Sequence, residues 1–188
     1  MDREAKKWHK EKDKEVKKMI KKAKKEGIHP SFINLLKAQD KLKKKYKFHM
    51  EFHDGATEEE IVKFEKTLGV TIPAHYREFL KFTNGADLGE ASVEFFGVSE
   101  TAGSASMYDM NYIDPEIDAY DIAGARNSNL LIFAMDVASF LTGINTETGE
   151  IVFWNHEDEE DKYCELADDF YSYIEEDLIG FITEKESD

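Results

Sequence analysis

The segment GATEEEIVKFEKTLGVTIPAHYREFLKFTNG, from Gly55 to Gly85, contains the clearest structural signals in the chain. Thr57, followed three residues later by Glu60, forms a capping box, which is a typical helix start. The helix that it opens ends at Gly69, because glycine readily accepts the left-handed conformation found after helices. The residues that share one face of this helix are Ile61, Phe64, Glu65 and Leu68.

A second helix is predicted after a short extended link at residues 70–72. Pro73 suits its first turn, where the missing N–H of proline costs nothing. Asn84 and Gly85 are predicted to close it. Its inward face is expected to consist of Tyr76, Phe79, Leu80 and Thr83.

Strands follow the two helices. The runs 93–96 and 130–134 are strand-like, and the second is apolar enough for a buried strand. The runs 140–145 and 150–154 flank the turn 146–149, which predicts a β-hairpin.

A last helix is predicted over residues 167–182. Its buried face is expected to consist of Phe170, Ile174, Leu178 and Phe181. The order of helices, antiparallel strands and a final helix indicates the α+β class.

The first fifty residues predict a helical hairpin. No Pro or Gly occurs between Ala5 and Lys25, whereas Gly27 and Pro30 separate this run from a second helix that starts near Ser31. The apolar positions of the two helices repeat at helical spacing. They are Val16, Met19, Ile20 and Ala23 in the first helix, and Phe32, Leu35, Leu36, Gln39 and Leu42 in the second.

Charge divides the chain at the same place. Residues 1–50 hold 18 Lys and Arg against 7 Asp and Glu, a net of +11, whereas residues 51–188 hold 7 against 33, a net of −26. Such asymmetry suggests two units with different surfaces. We therefore expect a basic helical N-terminal extension at 1–50 and an acidic domain at 51–188.

Three blocks of the acidic part carry a family likeness. They are the Gly55–Gly85 segment, the strands and turn within 131–157, and the segment from Ala167 to Ile174. In this order and spacing they resemble the SUKH (Smi–Knr) superfamily over about residues 51–182. The loop 135–139 lacks the glycine-rich turn of many members, and residues 1–50 lie outside the family pattern.

The resemblance implies a small α+β domain, with an antiparallel sheet packed against helices, that binds other proteins and catalyses nothing. Most bacterial members are immunity proteins encoded beside polymorphic toxins, which are often nucleases. Some eukaryotic relatives are regulatory or scaffolding modules. We expect an immunity protein whose partner is a basic cognate toxin, with a scaffold or regulatory module as the alternative. Monomer and homodimer both remain open.

The residues themselves offer no catalytic or cofactor constellation. No pair of the six histidines has the HExxH spacing of a zinc helix, and no glycine motif cradles a phosphate. Cys164 lacks an activating base, so a half-buried small side chain is expected there. A single cysteine argues against an oxidising compartment, and the longest apolar run, Leu130–Met135, is far too short to cross a bilayer. We expect a cytoplasmic protein with no metal and no cofactor.

Two acidic sets are candidates for partner binding. Tyrosines beside carboxylates combine apolar contact area with charge, as protein interfaces do. The first set comprises Tyr108, Asp109, Tyr112, Asp114, Glu116, Asp118 and Asp121. The second is the run Glu157, Asp158, Glu159, Glu160 and Asp161. Ordinary solvated loops would have a similar composition.

Three interpretations of the basic extension stay open. In the first, it docks on the acidic body of its own chain or of a second copy. Alternatively it binds nucleic acid or an anionic membrane, or it is a solvated helix with little role. Docking on its own body is favoured, because that body is the nearest polyanion. Nucleic acid is not an expected partner, since no recognition motif accompanies the lysines.

Overall fold

The computed structural model describes residues 3–46, 50–89, 93–99, 106–112, 125, 129–136, 140–155 and 163–187. Its helices are α1 (Arg3–Glu26), α2 (Pro30–Tyr46), α3 (Glu58–Leu68), α4 (Ala74–Phe82), α5 (Phe170–Ser172) and α6 (Ile179–Ser187), with a π-helical stretch (Tyr173–Leu178) between the last two. Its strands are β1 (Glu51–Phe52), β2 (Ala86–Asp87), β3 (Val93–Phe95), β4 (Leu130–Asp136), β5 (Leu141–Asn145), β6 (Ile151–Trp154) and β7 (Tyr163–Ala167). Below, α1 and α2 are called the hairpin, residues 50–187 the body, and residues 170–187 the C-terminal helix.

The strands form one antiparallel sheet in which each strand pairs with the next along the described chain. The predicted β-hairpin between β5 and β6 is confirmed. Ile144 pairs with Ile151, and the Asn145 N–H donates to the Glu150 carbonyl at 2.8 Å. Gly149 closes the turn at a φ of 87°. Helices and an antiparallel sheet in one chain confirm the α+β prediction.

The capping box that opens α3 is present. The Thr57 hydroxyl oxygen accepts a hydrogen bond from the Glu60 N–H, and the Glu60 carboxylate accepts one from the Thr57 N–H at 2.7 Å. Gly69 caps the other end with a φ of 66°. Arg77 of α4 locks the two helices together, because its guanidinium contacts both Glu58 and Glu65. Lys81 and then Arg77, by hydrogen bonding, hold the pKa of Glu58 below its usual value.

The end of α4 differs from the prediction. The helix stops at Phe82 and Thr83 is extended, so Gly85 is not the residue that caps it. Gly85, with a φ of 93°, serves the turn into β2, where a Cβ atom would lie 2.9 Å from the backbone of Phe95 and Gly97. Close backbone approach, rather than helix capping, is what requires glycine here.

An aromatic cluster joins α4, the sheet and the C-terminal helix. Ring centroids of neighbouring pairs lie between 4.8 and 6.1 Å apart, mostly edge to face, which is the favoured geometry for buried rings. The members are Tyr76, Phe79, Phe95, Phe133 and Phe170. The Tyr76 hydroxyl donates within the cluster to the Phe96 carbonyl at 2.7 Å and lies 3.2 Å from the Phe133 carbonyl.

The C-terminal helix corrects two predictions. It starts at Phe170 with Asp169 as its cap, and Ala167, the predicted first residue of the helix, is the last residue of β7. Phe181 is exposed, while Ile182 is fully buried in its place. The reason is the π-helical stretch, whose wider turn moves the buried face one residue along the chain.

Cys164 also departs from the prediction. It lies exposed on β7, where it pairs with Phe153 of β6. Tyr163 and Glu165 on either side of it are exposed as well, and β7 is an edge strand of the described sheet. The expected half-buried thiol is therefore wrong.

The hairpin packs on the body through apolar side chains. Phe32 of α2 meets Phe79 and Phe82 edge to face at 5.2 and 5.5 Å. The Lys22 ammonium of α1 donates to the Phe82 carbonyl at 3.0 Å and lies 4.6 Å from the centre of its ring. The other buried apolar residues of the hairpin are Val16, Ala23, Ile33, Leu35 and Leu36. Docking of the extension on its own body is thus confirmed, with apolar burial rather than charge as its main contact.

These hairpin residues belong to the same hydrophobic cluster as the core of the body. The boundary at residue 50 stays a prediction about folding units, and the shared cluster shows how to test it. We expect Phe32→Ala to lower the free energy of unfolding by about 3 kcal/mol or more, as large-to-small core substitutions do.

Urea unfolding followed by Trp154 fluorescence measures this effect. Trp154 lies fully buried in the body, and a Trp8→Phe background removes the second tryptophan. Lys25→Ala, at an exposed position of α1, is the control. A Trp154 transition that keeps its midpoint in Phe32→Ala would show that the body unfolds independently of the hairpin.

Candidate protein-binding surface

The candidate surface centres on residues 106–112, which we call the tyrosine turn. The segment that leaves β3 toward this turn is positioned by contacts of Asn84 and Gly97. The Asn84 side-chain oxygen accepts a hydrogen bond from the Val98 N–H at 2.8 Å, and a Cβ atom on Gly97 would lie 2.4 Å from the Asn84 carbonyl. The Asn84–Gly85 pair of the sequence therefore guides the chain that leaves β3.

Asn111 anchors the tyrosine turn to the sheet. Its side-chain amide donates to the Ile132 carbonyl at 2.7 Å and accepts from the Ile132 N–H at 2.8 Å. The paired register of β3 and β4 ends at Phe95 and Ala134, and one further hydrogen bond joins the Phe96 N–H to the Phe133 carbonyl at 2.8 Å. The Asn111 amide then supplies the partner of Ile132 in place of a strand. Asn111 is 1% exposed, and buried polar groups of this kind cost free energy when they lose their partners.

Further hydrogen bonds hold the turn rigid. The Met107 N–H donates to the Gly97 carbonyl at 2.8 Å, and the Asn111 amide donates also to the Met107 carbonyl at 2.7 Å. The Ser106 hydroxyl donates to the Asp109 carboxylate at 3.0 Å and accepts from the Asp109 N–H at 3.2 Å. A contact surface on this turn is therefore largely preorganised.

The turn presents two stacked tyrosines. The rings of Tyr108 and Tyr112 lie 5.5 Å apart at 23°, and Tyr112 is 51% exposed. Asp109 lies exposed between them in sequence. A cleft of about 320 Å³ separates Tyr108 from α3. Its lining residues are Glu60, Lys63, Phe64, Thr67, Val98, Ser99 and Tyr108.

The structure brings three of the predicted site residues together: Tyr108, Asp109 and Tyr112. The remaining members of the first set, Asp114, Glu116, Asp118 and Asp121, lie outside the described residues. So does the whole second set, Glu157, Asp158, Glu159, Glu160 and Asp161. The role of Asn111 was not predicted, because no local pattern indicates that an asparagine will pair with a strand residue twenty-one positions away.

A second polar cluster joins the hairpin to the body. Tyr171 stacks on His29 at 3.8 Å, lies 4.6 Å from His75, and donates its hydroxyl to the Glu78 carboxylate at 2.6 Å. His75 approaches the Asp169 carboxylate at 3.7 Å. Partial burial opposes ionisation of Asp169, but the N–H groups of Ser172 and Tyr171 outweigh it and hold the pKa of this carboxyl below its usual value.

This cluster has a structural use. The His29 Nδ1 atom lies 2.9 Å from the Ser31 hydroxyl oxygen and accepts a hydrogen bond from the Ser31 N–H at 3.4 Å. It therefore caps the first turn of α2. Ser31 is 2% exposed and lines a cleft of about 300 Å³ with His29, His75 and Asp169. Among the described residues, no group of three or more His, Cys, Asp or Glu is arranged to hold a metal ion.

The profile of the SMI1 / KNR4 family (SUKH-1) matches residues 55–176. The chain belongs to the SMI1/KNR4 family. The match starts just before α3 and ends within the π-helical stretch of the C-terminal helix, so it contains the tyrosine turn. A search of the curated proteins gave no match.

Membership of the SMI1/KNR4 family confirms the resemblance drawn from the sequence and is consistent with a protein-binding role of the immunity type. The hairpin lies outside the family match although it shares the core with the matched region. No helix in the part of the chain that the structure describes is long and apolar enough to span a membrane.

The anchoring role of Asn111 gives a direct prediction. We expect Asn111→Ala to cost about 1–3 kcal/mol of stability, because it leaves the Ile132 N–H and carbonyl buried without their partner. Hydrogen exchange should accelerate at Ile132 and throughout the tyrosine turn while β5 and β6 keep their protection. Asn34→Ala, on the exposed face of α2, is the matched control. Unchanged exchange at Ile132 would show that Asn111 is not the anchor.

Proposed function

We propose that the protein is an immunity protein that binds and neutralises a cognate toxin by covering a basic active surface, such as that of a nuclease. It would act in the cytoplasm and without chemistry of its own. Family membership supports a protein partner in general. The observation that carries the finer proposal is the rigid tyrosine turn, with Tyr112 exposed beside Asp109 on a strongly acidic body.

The charge of the body fits a basic partner. Residues 51–188 carry a net charge of −26. Such a field accelerates encounter with a positively charged protein by about 10–10³-fold over a neutral pair at low salt. A nuclease must carry positive charge to hold phosphates, so an acidic protein that occupies this charge also excludes the nucleic acid.

The tyrosine turn adds a preorganised apolar contact area to the electrostatic attraction. Tyrosine offers a large contact area at a low entropic cost, because only two side-chain torsions have to be fixed. The turn loses little entropy on binding, since Asn111 and Ser106 already hold it. The neighbouring cleft of about 320 Å³ has room for one or two side chains of a partner.

A scaffold or regulatory module with a cellular partner is the alternative that the family allows. Both roles use a protein-binding surface, so the identity of the partner separates them. Complex formation with a toxin encoded beside this gene supports the immunity role. A complex with a cellular protein and none with that toxin supports the module.

The substitution Tyr112→Ala tests whether the tyrosine turn contacts the toxin. We expect it to weaken binding of the neighbouring toxin by about 30-fold or more, the effect of removing an aromatic hot spot. Calorimetric titration at 50 mM and 500 mM NaCl measures this loss and the electrostatic share of the affinity. Tyr163→Ala is the matched control, because Tyr163 of β7 is 47% exposed and lies on another part of the sheet.

Two results would contradict the proposal. The first is the absence of a complex between the unaltered protein and the toxin at 50 mM NaCl. The second is an equal loss of affinity in the Tyr112 and Tyr163 variants, which would place the contact elsewhere. Far-ultraviolet circular dichroism of both variants confirms that the fold is retained.

A further inference from the structure

The outward side of α1 carries a row of lysines, which we call the lysine face. It consists of Lys14, Lys17, Lys18, Lys21, Lys24 and Lys25, all exposed. At 100° per residue these positions fall within an arc of about 120°, because they repeat at three- and four-residue spacing. The row covers about 17 Å of helix axis at 1.5 Å per residue. Arg3, Lys6, Lys7 and Lys10 occupy the same rotational positions of the backbone helix one to three turns earlier.

The orientation of the lysine face is set by the packing of the opposite side. Val16 and Ala23 are buried against the core, and Lys22 is tied to the Phe82 carbonyl. The helix therefore turns most of these lysines away from the body. Lys18, at the edge of the row, lines a cleft of about 580 Å³ with Glu51 and Asp54 of the body. Among the residues that the structure describes, no ion pair joins the lysine face to a carboxylate. The positive charge of the lysine face is left for an external anion.

Two external anions are less suitable than a nucleic acid. A helix that lies in a membrane interface inserts its apolar side, and the apolar side of α1 is occupied by the body. The acidic body of a second copy is a weaker match, because its carboxylates are spread over a folded surface, whereas duplex DNA carries one negative charge about every 1.7 Å of its axis. A phosphate backbone is a linear array of charge that matches a linear row of lysines.

The acidic body does not forbid this contact. The Debye length is about 10 Å at 0.1 M salt, so charges on distant parts of the body are largely screened. A phosphate that touches the lysine face is within a few ångströms of two or three ammonium groups and feels them directly. The missing recognition motif excludes a sequence-specific contact, but binding to the phosphate backbone needs none.

We propose that the lysine face of α1 binds the phosphate backbone of nucleic acid without sequence preference, on the side of the molecule that the hairpin presents. This function is independent of toxin binding by the tyrosine turn. It assigns the hairpin two roles: its apolar side completes the core, and its basic side holds a polyanion.

The test compares two variants with the same change of charge. The first replaces Lys17, Lys21 and Lys24 by Gln, which has nearly the same helix propensity as Lys. The control replaces Lys37, Lys41 and Lys66 by Gln; these are exposed lysines on α2 and α3. Fluorescence anisotropy with a labelled 30-base-pair DNA of mixed sequence, and with a 30-nucleotide RNA, measures affinity between 20 and 200 mM NaCl.

We expect the unaltered protein to bind with a steep salt dependence. Each lost phosphate contact lowers the slope of log K against log salt by about 0.9, so the Lys17, Lys21 and Lys24 variant should lose about 2–3 from the slope on duplex DNA. We expect at least a tenfold weaker affinity at 50 mM NaCl, while the control stays within twofold. Changing the DNA sequence should leave the affinity unchanged.

Three outcomes would overturn the proposal. They are no binding of either nucleic acid at 20 mM NaCl, an equal loss in both variants, and binding to vesicles with 30% phosphatidylserine in the absence of binding to DNA or RNA. Concentration-dependent self-association that the first variant abolishes, without nucleic-acid binding, would assign the lysine face to a second copy. Toxin binding measured on the same variants distinguishes failure of the nucleic-acid proposal from failure of the immunity role.

Discussion

The hydroxyl of Tyr76 is the polar contact around which the body is built. It lies fully buried among aromatic rings and serves the carbonyls of Phe96 and Phe133, which lie in or next to neighbouring strands. Burial raises the pKa of Tyr76 well above its ordinary value, so the group remains a hydrogen-bond donor at any ordinary pH. An apolar side chain there would leave the Phe96 carbonyl without this donor, whereas the Phe133 carbonyl would keep the Phe96 N–H at 2.8 Å. The hydroxyl ties α4 to the junction of β3 and β4, together with the packing of the aromatic cluster.

The same strand region explains how the tyrosine turn becomes rigid. β4 contains an irregularity between Ile132 and Ala134 in its pairing with β5, and its hydrogen bonds with the β3 segment end at the Phe96 N–H and the Phe133 carbonyl. The Ile132 backbone groups are consequently open, and Asn111 satisfies both of them. A short strand thus creates the attachment point of a surface loop. Fold and candidate binding surface are physically coupled at this place.

Charge and apolar packing contribute differently to the docking of the hairpin. Net charges of +11 and −26 on the two parts suggest electrostatic docking, yet the contact consists of Phe32 and neighbouring apolar residues. Exposed ion pairs contribute little because water already solvates their charges, whereas burial of a phenylalanine ring contributes about 1.5–3 kcal/mol. Apolar burial therefore decides the orientation of α1 and leaves the six lysines of the lysine face exposed. Within the described part of the chain, no ion pair joins the lysine face to a carboxylate of the body.

Most elements of the fold, and its class, could be predicted from local sequence signals. Thr57 with Glu60, the glycines at 69 and 149, and the apolar runs of β4 to β6 are such signals, because caps, turns and strand periodicity depend on residues close in sequence. The family and the tyrosines of the candidate surface were also evident at that level. The partners of Asn111, the apolar docking of the hairpin and the exchange of Phe181 for Ile182 in the core emerged only in three dimensions. These outcomes depend on contacts between distant segments and on a wider helical turn. A local sequence pattern does not determine the free energy of such contacts.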